Sequence, residues 1–124
     1  SDVAYPFGYG LSYTTFAYDV EGLVADHMVS VTVTNTGRLA GKEVVQLYMV
    51  PPSESIKRPA HELVAFAKTH LLQPGESETL HLQYDSRDLC YYDESRGEWV
   101  KEDGLHRLQV AQSSRDVIKT IDIP

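Results

Sequence analysis

The sequence has a single cysteine, Cys90, so that no intrachain disulfide can form. No apolar stretch approaches the roughly 18 residues from which a transmembrane helix is recognised. Basic residues are also scarce, since 11 Lys and Arg stand against 18 Asp and Glu, for a formal net charge of −7. Nucleic acids and anionic membranes are held mainly by Lys and Arg. We therefore expect neither a nucleic acid nor a membrane among the partners.

The start of the chain and its cysteine content bear on the compartment. One cysteine favours a reducing compartment such as the cytoplasm, and secretion stays open because many secreted β-domains lack disulfides. The chain begins with Ser1-Asp2 rather than Met, and no basic segment followed by an apolar one marks a secretory signal. We expect this chain to be a segment of a longer protein.

The sequence is rich in the two-residue periodicity of β-strands. From Met28 to Thr34, valines alternate with hydroxyl side chains, which is typical of a strand with one buried face. Further strands are predicted at 14–24, 43–50, 62–68, 80–84, 88–92, 98–101 and 105–111 and at the end of the chain. No segment shows the periodicity of an amphipathic helix. This pattern predicts an all-β fold, a two-sheet antiparallel sandwich of the fibronectin type III-like or immunoglobulin-like class.

The inward positions of these strands predict the core. Its expected members are Val29, Val31, Val33, Leu47, Leu82, Tyr84, Leu108, Val110 and Ile121. We expect Cys90 to be a small buried side chain in the middle of a strand, as free cysteine usually is. We expect His106 to be a core or half-buried histidine.

Residues 1–13 differ from the rest of the chain. Aromatic and apolar side chains recur there at every second position, with Gly8 and Gly10 between them: Tyr5, Phe7, Tyr9, Leu11 and Tyr13. Flexible linkers are polar, whereas these rings need apolar surface to cover them. The segment could pack on its own sandwich or lie between two domains. We predict the second, with 1–13 as an interdomain arm and 14–124 as the sandwich domain.

The same segment carries a family resemblance. Tyr-Pro-Phe-Gly-Tyr-Gly-Leu-Ser-Tyr-Thr-Thr-Phe, residues 5–16, resembles the sequence that leads into the C-terminal fibronectin type III-like domain of glycoside hydrolase family 3 enzymes, mostly β-glucosidases and β-xylosidases. The resemblance continues to the end of the chain, in order, through 31–37, 40–48, 58–59, 62–63, 72–76, 88–89, 92–93 and 113–116. The chain departs from the family at Ala65, at His106 and at Ala111-Gln112.

The resemblance implies a non-catalytic accessory domain that stabilises a β-glucosidase-like enzyme and packs against its catalytic domains. We predict no catalytic, cofactor-binding or metal-binding residue in this chain. A glycosidase needs two carboxyl groups about 5–10 Å apart, whereas the acids here cluster in turns, where they are usually solvated. The five histidines and Cys90 lack the spacing of metal ligands.

Two further sets of residues are candidates for contact with partners. Arg58 and Pro59 lie in the long loop 51–61, and we predict that they reach the neighbouring domains together with the arm residues Tyr5, Phe7, Tyr9 and Tyr13. The alternative function is a carbohydrate- or polymer-binding module that holds the enzyme on a polysaccharide. Its candidate saccharide contacts are Trp99, Tyr91 and Tyr92. Packing of these rings in the core or between domains is the favoured interpretation, because sandwiches bury such side chains.

Overall fold

The alternation of apolar and polar residues becomes a series of antiparallel strands in the computed structural model, which describes residues 13–25, 27–52, 61–112 and 116–123. The strands are β1 (Phe16–Ala25), β2 (Met28–Asn35), β3 (Val44–Val50), β4 (Glu62–Lys68), β5 (Ser77–Gln83), β6 (Cys90–Asp93), β7 (Glu98–Lys101), β8 (His106–Gln112) and β9 (Val117–Ile123). One 3-10 helix, Ser86–Leu89, precedes β6. Within these ranges no helix is long and apolar enough to cross a membrane.

The strands form two packed sheets and a separate hairpin. One sheet has the order β1-β2-β5, the other has the order β4-β3-β8-β9, and β6 pairs only with β7 among the described strands. Every pairing is antiparallel. The predicted fold class, an all-β antiparallel sandwich, is confirmed.

The core lies between the two sheets and contains the predicted residues. The valines of β2 are buried together with Leu47, Leu82, Tyr84, Leu108 and Val110, and Ile121 is partly buried against them. Val45, Met49 and Leu72 also belong to this cluster. His106 is buried at the start of β8, as expected.

The predicted strand at 88–92 begins too early. Ser86–Leu89 forms a 3-10 helix because the Asp85 side chain accepts a hydrogen bond from the Arg87 N–H, and Asp88 accepts one from the Asp85 N–H. Cys90 is therefore the first residue of β6 and is partly exposed, with its thiol 3.7 Å from the Ser86 carbonyl oxygen. The expectation of a buried mid-strand cysteine was wrong, and Leu89 packs against the core instead.

Candidate functional site

The residues predicted to contact partners fall into two groups. Tyr13, Tyr91, Tyr92 and Trp99 lie in the part of the chain that the structure describes. The other five lie outside the described residues, and their contacts stay predictions: Tyr5, Phe7, Tyr9, Arg58 and Pro59.

Tyr92 and Trp99 form an aromatic pair on the surface of the β6–β7 hairpin. They are direct partners in the strand register, and their ring centroids are 5.4 Å apart at an interplanar angle of 75°. The Arg87 guanidinium lies 5.3 Å from the centroid of the Trp99 ring, which is a cation–π distance. Tyr92 is 49% exposed and Trp99 50% exposed, so neither ring belongs to the domain's own core. Tyr91, next in the strand, is less exposed and pairs with Val100.

The turn that carries this pair is held by its own side chains. Asp93 accepts hydrogen bonds from the N–H and the hydroxyl of Ser95, at 3.0 and 2.7 Å. The hydroxyl bond is the main reason that the pKa of the Asp93 carboxyl lies below its ordinary value. Arg96 and Glu98 form an ion pair at 2.6 Å. Gly97 closes the turn with a φ of 67°, in the left-handed region that favours glycine. The hairpin therefore presents its two rings on a well-defined scaffold.

Asn35, at the end of β2, joins three segments of the chain. Its carboxamide oxygen accepts hydrogen bonds from the Thr14 hydroxyl and the Gly37 N–H, both at 2.9 Å. Its amide NH₂ donates to the carbonyl oxygens of Leu39 and Leu72, at 2.8 and 2.9 Å. Asn35 is fully buried, and these four bonds use both lone pairs and both hydrogens. The sequence predicted only a turn at Asn35-Thr36-Gly37.

Large exposed apolar side chains lie beside these hydrogen-bonded groups. Tyr13 precedes Thr14 and is 72% exposed, Leu39 is 59% exposed, and Leu71 precedes Leu72 and is 47% exposed. Val117 is half exposed and is the first residue of β9. It lies at the same end of the sandwich, because its partner Ala111 is next to Gln112, which pairs with Val45 near the start of β3. We call the surface formed by Tyr13, Leu39, Leu71 and Val117 the Asn35 end.

Glu43 is a buried carboxyl group that the sequence reading missed. It accepts hydrogen bonds from the Tyr18 hydroxyl and from the Val44 N–H, the latter at 2.9 Å, and its own N–H donates to the Thr69 hydroxyl at 3.0 Å. Burial raises the pKa of Glu43 above its ordinary value, although the hydrogen bond from Tyr18 opposes the shift. Burial also raises the pKa of Tyr18. The pair links β1 of one sheet to the start of β3 in the other.

The surface also has an open groove of about 390 Å³ between β4 and β5, the facing edges of the two sheets. Its lining includes Leu63 and Phe66, which are both exposed, and His81 and Gln83. Among the described residues, no group of three or more His, Cys, Asp or Glu side chains could hold a metal ion. The described surface thus offers apolar and aromatic contact areas rather than clustered reactive groups.

Known proteins show the same domain. The family described as "Fibronectin type III-like domain" matches residues 43–114. The chain is similar to a β-glucosidase of Kluyveromyces marxianus, with 43% identity over 121 residues that cover 94% of this chain and 14% of that protein. It is also similar to an exo-α-(1→6)-L-arabinopyranosidase of Bifidobacterium longum, with 39% identity over 98% of this chain and 16% of that protein.

Solved structures agree with the sequence matches. The crystal structure of a GH3 β-glucosidase from Bifidobacterium adolescentis superimposes with a TM-score of 0.80 and 38% identity, over 96% of this chain and 18% of that one. The chain therefore spans about a sixth of the length of the proteins that it matches.

Proposed function

This chain belongs to the fibronectin type III-like domain family, and on that premise we propose that it is a non-catalytic accessory domain of a β-glucosidase-like glycoside hydrolase. In the parent enzyme it packs against the catalytic domains and stabilises them. The observation that carries this proposal is the coverage, since nearly all of this chain matches a small part of much longer glycosidases.

The chemistry of the described residues supports a non-catalytic role. Glu43 has a raised pKa, as many catalytic acids do, but its side chain is buried and its carboxyl group is held by the Tyr18 hydroxyl and the Val44 N–H rather than open to a substrate. The chain is similar both to a β-glucosidase and to an arabinopyranosidase. A domain shared by enzymes with different named substrates is suited to a scaffold role. We therefore place the choice of sugar elsewhere in the parent.

The aromatic arm, residues 1–13, is part of this proposal as the segment that joins the sandwich to its neighbour. Arg58 and Pro59 are proposed to contact the same neighbour from the loop 51–61. Each aromatic side chain of the arm offers about 150–250 Å² of surface, and burial contributes about 25 cal/mol per Å². Ordering the backbone costs about 1–2 kcal/mol per residue. Order is therefore favoured where two domains cover the arm, with Phe7 and Tyr9 as its anchors.

The proposed role of the arm is tested in the parent enzyme. Phe7→Ala should lower the thermal midpoint of the parent, because the ring loses its apolar contacts with the neighbouring domain. Deleting residues 1–12 from the isolated chain should change its unfolding midpoint little. An unchanged midpoint of the parent with Phe7→Ala would contradict the interdomain arm.

A second function, saccharide binding, is favoured by one observation, the exposure of Tyr92 and Trp99 on the hairpin. Arg87 already lies over the Trp99 ring, however, and the Tyr92 ring contacts it in a T-shaped arrangement. Fewer ring faces are then free for a sugar. This crowding favours the accessory role.

Calorimetric titration of the chain with soluble glucans separates the two functions. The accessory role predicts no saturable heat. A binding module predicts saturable heat that is lost with Trp99→Ala and kept with Phe66→Ala, a matched control that removes an exposed ring from β4, far along the chain from the hairpin.

A further inference from the structure

Strand β4 lies at the edge of the four-stranded sheet and carries charge only at its two ends. Among the described strands it pairs with β3 alone. Its sequence is Glu-Leu-Val-Ala-Phe-Ala-Lys, so Glu62 and Lys68 enclose an uncharged segment without proline. An edge strand presents backbone N–H and C=O groups to any chain that can pair with it, and charged residues or proline within the strand are the usual protection. The inner part of β4 lacks both, which suits it to accept a further strand.

The other edge strands of the two sheets carry charges within them. Strand β1, at one edge of the three-stranded sheet, contains Asp19 and Glu21, and β5, at its other edge, contains Glu78. Strand β9, opposite β4 in the four-stranded sheet, contains Lys119 and Asp122. Charged side chains inside an edge strand oppose pairing with a foreign strand. Strand β4 is therefore the least protected edge of the two sheets in the part of the chain that the structure describes.

Two large apolar side chains of β4 lie on the face that points away from the core. Ala65 and Ala67 pack against the core, so Phe66 between them points outward. Leu63 pairs with Tyr48, and a bulge in β4 between Leu63 and Ala65 places Leu63 on the same outward face as Phe66. Phe66 is 69% exposed and Leu63 47% exposed. The open edge is thus bordered by an apolar surface.

The residues of β4 are complementary to a second copy of the same strand that runs antiparallel. With Phe66 opposite the Phe66 of the second copy, Ala65 of each copy lies opposite Ala67 of the other, so both sheets keep their inner faces. The two phenyl rings then lie side by side on the outer face, where aromatic cross-strand pairs stabilise a sheet. The antiparallel direction also brings the Glu62 end of each strand toward the Lys68 end of the other, so that opposite charges meet. Parallel pairing would bring like charges together instead.

We propose that β4 is the interface through which two copies of this domain pair edge to edge, each in its own parent polypeptide. The two four-stranded sheets become one continuous sheet about a two-fold axis that passes beside Phe66, as a self-complementary surface requires. A contact between two short strands is small, and small interfaces give weak association that depends on concentration. This inference goes beyond the accessory role and does not depend on it.

Disulfide trapping in the full-length parent tests this register. Phe66→Cys is placed in a background with Cys90→Ser, and Tyr92→Cys, which replaces an exposed ring of the β6–β7 hairpin, is the matched control. Opposed residues of antiparallel strands have Cα atoms about 4.5–5.5 Å apart, within the range of about 4.4–6.8 Å that a disulfide spans. Under mild oxidation two Phe66→Cys chains should therefore link at least about fivefold faster than two Tyr92→Cys chains, and peptide mass spectrometry identifies the linked site.

A charge at the two-fold axis gives a second measurement. Sedimentation velocity at a series of concentrations should show that Phe66→Lys weakens association of the parent by about tenfold, because two like charges are then opposed and the aromatic pair is lost. Tyr92→Lys should leave the association unchanged. Phe66 is largely exposed, so the substitution leaves the core of the sandwich intact.

Equal rates of disulfide formation at Phe66→Cys and Tyr92→Cys would overturn the proposal, because the chains would then meet at random. A parent that sediments as a monomer at every concentration, or an association that Phe66→Lys leaves unchanged, would also overturn it. So would a Phe66→Cys thiol that is protected from a maleimide in the monomeric parent, because another domain of the same polypeptide would then cover β4. The accessory role is judged by the thermal stability of the parent instead, so these outcomes leave it standing.

Discussion

At the scale of single residues, Asn35 and Glu43 are the polar side chains on which the sandwich depends most. Asn35 has all four of its hydrogen bonds inside the protein, and Glu43 holds Tyr18 across the two sheets. The sequence shows Asn35 as a turn residue and Glu43 as the first residue of an apolar segment. Their burial depends on partners 37 and 25 residues away, which a local pattern does not contain.

Replacing Asn35 should destabilise the isolated chain strongly. Asn35→Ala removes the side-chain partner of the Thr14 hydroxyl, the Gly37 N–H and the Leu39 carbonyl group, and leaves the Leu72 carbonyl group with only its bond from the Gly41 N–H. We expect a loss of about 3 kcal/mol in the free energy of unfolding, measured by urea denaturation. Thr36→Ala is the control, because its hydroxyl bond to Thr15 is exposed, and it should change the free energy by less than about 0.5 kcal/mol. Similar effects of the two variants would contradict the role of Asn35.

Glu43 should give the chain a distinctive pH dependence. Its folded-state pKa is raised above 4.5 by burial, so the native state binds more protons than the unfolded state just above that pH. Stability linked to Glu43 is therefore greatest at low pH and is lost as pH rises through the raised pKa. Glu76 and Asp93 have lowered pKa values, and their contribution is lost instead as pH falls.

The variant Glu43→Gln isolates this contribution. Urea denaturation at a series of pH values from 4 to 7 should show that the wild-type chain loses stability relative to Glu43→Gln as pH rises above about 4.5. The carboxyls of Glu76 and Asp93 are present in both proteins and cancel in the difference. If the difference in the free energy of unfolding between the two proteins does not change with pH, the pKa of Glu43 is not raised in the folded state and the account is contradicted.

At the scale of elements, the strands were predictable because their two-residue period is local. The valines of β2 and the alternating residues of β5 and β8 lie in the core as the pattern requires. The 3-10 helix Ser86–Leu89 was missed, since the acids Asp85 and Asp88 also fit a solvated turn, and only their reciprocal bonds distinguish a capping box. The sequence also did not predict that β6 and β7 form a hairpin separate from the two main sheets, because this depends on packing between distant parts of the chain.

The close approach of Thr14 to Gly37 gives an element-level prediction. Gly37→Ala should destabilise the chain by at least about 1 kcal/mol, because the new methyl group displaces Thr14 from its hydrogen bond with Asn35. Gly22→Ala, within β1, is the control, since nothing lies within 4 Å of its Cβ position. Thermal unfolding of both variants tests this difference. Equal unfolding midpoints would contradict the prediction, because the segment at Thr14 would then move away from Gly37 at little cost in free energy.

At the scale of the whole molecule, the domain has exposed apolar side chains at the Asn35 end and exposed rings on the β6–β7 hairpin. The family was readable from the sequence because its motifs run from end to end in order. Which rings are exposed was not readable, because exposure depends on how the hairpin stands apart from the two sheets. Trp99 illustrates this. Packing in the core or between domains was the favoured interpretation for this ring, and the structure shows it half exposed on the isolated domain.

The proposed role of the domain is that its folding supports the catalytic domains of the parent glycosidase. The most direct test is to weaken the domain from within by Asn35→Ala in the full-length parent and to measure the temperature at which glycosidase activity is lost. We expect that temperature to fall by several degrees, while kcat/KM at 25 °C stays unchanged, with Thr36→Ala indistinguishable from the wild type. An unchanged inactivation temperature, in a parent whose accessory domain melts earlier, would contradict a stabilising role.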